Sequence, residues 1–104
     1  MSLRQKLIDR LERIPGIDVH LFKPDSDFMV IEYKGEGVAH FHGHNELDIR
    51  LSKEVVRREG LKNAPDRVGH PKRKDGGRWL VVRFTRESHL AEVIRLVKVA
   101  IELR

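Results

Sequence analysis

The chain has 104 residues, 36% of them charged and 39% hydrophobic, with 21 Lys and Arg against 16 Asp and Glu, a net charge of +5. That length implies one domain over residues 1–104, and no stretch approaches the ~20 apolar residues that a membrane span needs. With no cysteine there is no disulfide framework and no thiolate metal site. Met1 to Ile14 is charged throughout where a secretory signal needs an apolar stretch, so a cytoplasmic location is expected.

Ser2 to Ile14 reads as a helix, capped by Ser2 and stopped at Pro15-Gly16, with Leu3, Leu7, Leu11 and Ile14 on one face. Ile17 to Phe22 alternates as a strand: Ile17, Val19 and Leu21 on one side, Asp18, His20 and Phe22 on the other. Pro24 to Asp27 is a turn cluster, Phe28 to Tyr33 a second strand, and Lys34 to Gly37 the next turn. Val38 to His42 and Leu47 to Leu51 are two more strands joined around Gly43 to Glu46. Ser52 then caps a short helix ending at Gly60, with Leu51 and Val56 in the places of a hydrophobic staple. Leu61 to Gly77 is a long polar loop. Arg78 to Phe84 is a strong strand, and Thr85 is expected to cap a last helix with the stripe Leu90, Val93, Ile94, Val97 and Ile101. The order α-β-β-β-β-α-β-α, with short links between the early strands, predicts an α+β fold: an antiparallel sheet of about five strands with helices packed on one face.

His40-Phe41-His42-Gly43-His44 carries the chemistry. In a strand, residues two apart share a face, so the imidazoles of His40 and His42 project together while Ala39 and Phe41 point to the core; His44 falls in the turn. The next strand turns Leu47, Ile49 and Leu51 inward, which leaves Asp48 and Arg50 on the histidine face. Such a titratable cluster on a rigid sheet suits a ligand pocket, with His40 or His42 as acid or base and Arg50 holding an anion. Metal binding through His40-x-His42 is an alternative, since neutral imidazoles at this spacing bind zinc, iron or nickel. The spacing to Glu46 also occurs in cupins, but the second cupin motif is absent and the helices at both ends exclude that all-β fold. No Ser-His-Asp or Cys-His arrangement and no Gly-rich loop ahead of a helix is present, which disfavours covalent catalysis and nucleotide hydrolysis. Whether the chain is an enzyme stays open at this point, as does any cofactor.

The positive charge is concentrated. From Arg50 to Arg78 there are ten basic and four acidic residues, while the remainder is nearly balanced. This segment, densest at Lys72-Arg73-Lys74, makes a nucleic-acid-binding module the second alternative, although no aromatic residue lies inside it to stack bases. Alternatively, folded over the histidine face, the loop would supply His70 and a cation to an acidic small ligand. In the last helix, Leu96, Val99 and Leu103 lie outside the main stripe, so that helix is either deeply buried or the contact of a homodimer.

The stretch from Val38 to Arg104 resembles the luciferase-domain family, small domains related to fungal luciferases. The resemblance rests on His40-Phe41-His42-Gly43, on Leu47-Asp48-Ile49-Arg50-Leu51 leading to the helix that ends at Gly60, on His70 with Gly77-Arg78-Trp79, and on the closing amphipathic helix. It implies the fold and a His-lined pocket rather than light emission. The fungal enzymes oxidise an aromatic pyrone with oxygen, without a known metal or organic cofactor. By position, His40, His42, Asp48, His70 and Trp79 are the residues it points to. Arg78 between Gly77 and Trp79, and the strongly basic loop, depart from the family pattern.

Overall fold

A computed structural model describes residues 2–24, 28–64 and 76–104; His70, Lys72, Arg73 and Lys74 lie outside the described residues. Helix α1 (Leu3–Glu12) starts where Ser2 Oγ accepts from the Gln5 amide at 3.1 Å, and it buries Leu7, Ile8 and Leu11. Gly16 turns the chain into strand β1 (Ile17–Leu21) at φ +91°, and a Cβ there would stand 2.7 Å from Tyr33 Cε1. Strands β2 (Met29–Tyr33), β3 (Glu36–Phe41) and β4 (Glu46–Arg50), helix α2 (Lys53–Arg58) and strand β5 (Trp79–Arg83) follow. A 3-10 turn over Glu87–His89 then leads into helix α3 (Leu90–Glu102). The sheet is a fully antiparallel meander in the order β1-β2-β3-β4-β5. The predicted fold class and element order stand. No helix among the described residues is long and apolar enough to cross a membrane.

Two details of the β2–β3 hairpin decide which side chains reach the histidine face. The connection is two residues, Lys34 and Gly35, both at positive φ (51° and 85°), rather than the four expected. That is the backbone of a primed hairpin turn, whose twist suits the flanking strands. A register shift then opposes Gly37 to Glu32 but Ala39 to Ile31, leaving Val38 as one extra residue in β3. Without this bulge the pairing set by Tyr33 and Glu36 would send His40 toward the core. With it, Val38, Ala39 and Phe41 are buried and His40 emerges opposite Val30.

The three helices pack on the other face. The row Val19, Ile31, Ala39, Ile49 and Leu80 runs across the sheet beneath Leu7 and Leu11 of α1 and Val93, Leu96, Val97 and Ala100 of α3. Each Val or Leu buried in this layer is worth roughly 2 kcal/mol by transfer. Leu96 and Val99, outside the predicted stripe of the last helix, pack into the chain's own core, and Leu103 stays exposed. Helix α2 begins at Ser52, whose Oγ accepts from the Val55 amide, and ends in a Schellman motif: Gly60 (φ +65°) donates to Arg57 O and Leu61 to Val56 O. Its Val56 joins the core beside Leu51, as the staple requires.

One expected cap is corrected. Thr85 does not cap α3 with its side chain; the 3-10 turn intervenes, and the Thr85 amide donates to His89 Nδ1 at 3.0 Å. Here Thr85 supplies the amide and the downstream His89 the side-chain acceptor, whereas a hydroxyl N-cap accepts with its own side chain from a downstream amide.

Candidate functional site

The face away from the helices is ordered by three cross-strand rows. The central row reads His20, Val30, His40, Asp48, Val81 from β1 to β5. On one side of it Glu46 pairs with Arg83, with His42 beside them; on the other Asp18 pairs with Glu32, and Arg50 with Trp79. His40, His42, Asp48, Arg50 and Trp79 thus come from three neighbouring strands to one surface, as the alternation predicts.

His40 is the best-positioned of these groups. Its Nε2 lies 3.3 Å from Asp48 Oδ2, and Asp48 is only 4% exposed. Its ring stands between two others, 4.8 Å from Phe28 and 5.3 Å from Trp79, both tilted. Phe28 in turn meets Phe22 edge-to-face at 5.9 Å. A buried carboxylate on one nitrogen and rings on both sides fix the imidazole's orientation. Its Nδ1 has no hydrogen-bond partner among the described residues.

His42 is more exposed and answers to a different carboxylate. Its Nδ1 lies 3.6 Å from Glu46 Oε1, while Glu46 Oε2 accepts from Arg83 Nε and Nη2 at 2.9 and 2.6 Å. Glu46 is 2% exposed, and a charge so buried is tolerated when paired and hydrogen-bonded. The two histidines therefore each face a different carboxylate, His40 that of Asp48 and His42 that of Glu46. Arg50 is half-exposed, with its Nη1 3.7 Å from Glu36 Oε1 and its backbone carbonyl accepting from the Arg104 guanidinium. His44 leaves the face altogether: after Gly43 (φ +87°) it lines, with Arg4, Leu21, Met29 and Phe41, a hollow of about 460 Å³ on the helix side.

Sequence reasoning missed three features of this face. Phe28 read only as a strand residue, although its ring is one wall of the His40 site. Arg83 and Glu46 form a cross-strand pair that follows only from the β4–β5 register. Asp18, His20 and Glu32 cluster at the far edge of the same face, their ligating atoms all within 4.8 Å of one another. The outward positions of Asp18 and His20 were legible in the alternation; the arrival of Glu32 was not. His20 Nε2 is 2.8 Å from Glu32 Oε1 and its Nδ1 is 2.9 Å from Leu21 O, contacts that raise its pKa above the usual 6.5, the Glu32 hydrogen bond most of all.

Compared with known proteins, the chain matches a family model described as a luciferase domain over residues 35–100. No curated protein and no solved structure matches it.

Proposed function

The chain belongs to the luciferase-domain family, and on that premise we propose that its open sheet face binds a small planar ligand, aromatic and carrying an acidic group, at His40. The carrying observation is the imidazole held between Phe28 and Trp79 against buried Asp48, with Nδ1 without a hydrogen-bond partner among the described residues. Rings on either side offer stacking surface to a flat ligand. The His40 Nδ1 is left to hydrogen-bond an acidic oxygen or exchange a proton with it, and Asp48 keeps the ring from rotating away. His42 and Arg50 flank this point, and Arg50 supplies a cation for an anion. Were the ligand transformed rather than held, His40 is the acid or base within reach.

Trp79 is the single tryptophan of the chain, so its emission reports on the site directly. Titration with benzoate and salicylate is expected to change that emission saturably and to shift the His40 ring resonances, and His40→Gln should abolish the response while leaving the far-UV spectrum intact. No saturable change up to about 10 mM, where any binding is worth less than ~3 kcal/mol, would overturn the reading.

The nucleic-acid alternative has one local support: Lys53, Arg57 and Lys62 border a hollow of about 380 Å³ alongside α2. Salt-dependent retention on nucleic acid, lost in Lys53→Ala/Arg57→Ala/Lys62→Ala, would move the reading to that class.

A further inference from the structure

We propose that Asp18, His20 and Glu32 form a second site on the same face, one that takes a divalent transition-metal cation of the zinc or manganese kind. The three residues are brought together by sheet geometry alone. Asp18 and His20 are two apart on β1 and so share a face, and Glu32 is the direct cross-strand partner of Asp18 on β2. His20 Nε2 lies 2.8 Å from Glu32 Oε1 and 3.7 Å from Asp18 Oδ2, and the three ligating atoms fall within 4.8 Å of one another. Ligands on a metal at ~2.1 Å stand roughly 3–3.5 Å apart, so only a modest rotation of exposed Asp18 is needed to close the set.

The hydrogen-bond accounting at His20 points the same way. Its Nδ1 is 2.9 Å from the carbonyl of Leu21, which can only accept, so Nδ1 carries a hydrogen. Nε2 then faces two carboxylates, which also only accept when ionised. That nitrogen must hold either a second proton or a cation. A ligating histidine whose other nitrogen donates to a backbone carbonyl is the usual arrangement in metal sites, because it fixes both tautomer and ring direction.

Charge supports the cation. The chain carries +5 overall, and Glu46, Glu59, Glu87 and Glu92 all have Arg or Lys partners. Among the described residues, Asp18 and Glu32 have only His20. Two carboxylates left to one imidazole, in a chain rich in spare cations, make a local negative site. One nitrogen and two oxygens suit zinc or manganese and leave further coordination positions open to water or a ligand. Through His20 the site shares the central row with His40, with Val30 of β2 between them.

The test titrates ZnCl2 into the full chain, freed of metal beforehand, by calorimetry at neutral pH. One-to-one binding is expected, weakened tenfold or more in each of His20→Gln, Glu32→Gln and Asp18→Asn, and unchanged in His40→Gln/His42→Gln. MnCl2 should broaden the His20 ring resonances of the unaltered protein first, a readout that needs no variant to fold. Absence of binding up to about 1 mM, weaker than ~4 kcal/mol, would overturn the proposal. So would binding that survives His20→Gln, or that vanishes in the His40→Gln/His42→Gln protein instead.

Discussion

Replacing Arg83 by Met tests how the histidine face is held. The guanidinium gives Glu46 Oε2 two hydrogen bonds, at 2.9 and 2.6 Å, across the β4–β5 pair. Hydrogen bonds to a charged group contribute about 1.5–3 kcal/mol each, but these two share one oxygen and Arg83 is partly solvated, so about 2–3 kcal/mol in total is the expected loss. Methionine fills similar space and returns some apolar contact, which keeps the figure from rising further. In a domain of this size that loss lowers the thermal midpoint by on the order of 10 °C. Urea unfolding followed by circular dichroism measures it, and an unchanged slope would show that the folded state is otherwise intact. Glu46→Gln combined with Arg83→Met completes a double-mutant cycle, with a coupling of about 1–2 kcal/mol expected. An Arg83→Met protein within about 0.5 kcal/mol of the parent, or a coupling of zero, would refute the reasoning, because changes of that size belong to surface positions that anchor nothing.

Gly16→Ala meets both a left-handed φ and the Tyr33 ring, and should cost about 2–3 kcal/mol by urea denaturation. Ser52→Ala removes the acceptor for the Val55 amide and should cost about 1 kcal/mol, read by the same assay, with β5 pairing unaffected. His20 titrates above 6.5 in the folded, metal-free chain because Glu32 and Leu21 O favour its imidazolium. Its contribution to stability is therefore complete below pH 6.5 and lost as pH rises through the higher folded-state value. Ring resonances followed against pH should show that midpoint, and Glu32→Gln should bring it back toward 6.5 and flatten the pH dependence of the urea midpoint.

Alternation made much of this architecture readable in advance. Leu47, Ile49 and Leu51 could only face inward, so Asp48 had to face out, and the same logic placed His40 and His42. What alternation does not contain is the bulge. Gly37-Val38-Ala39 carries no signal for an extra residue, and only the pairing of β3 with β2 reveals that Val38 restores the phase between a two-residue turn and the histidines. The Thr85 cap failed because the 3-10 turn over Glu87–His89 comes between it and α3, so Arg86 and His89, not Thr85, stand at the cap positions. Arg50 was placed on the correct face, yet its partner Glu36 comes from the start of β3, a contact invisible until the strands are registered. His70 and Lys72-Arg73-Lys74 lie outside the described residues.

The meander has a consequence for how the protein comes together in time. Strands β1 to β4 are joined through residues 22–28, 34–35 and 42–45, whereas β4 and β5 are separated by residues 51–78. Closing that longer stretch costs about 2 kcal/mol more chain entropy than closing a four-residue link, so the fifth strand docks after its neighbours have zipped. Because that strand bears Trp79, the indole reaches the imidazole late: in a stopped-flow refolding experiment, fluorescence should trail the recovery of β-sheet ellipticity.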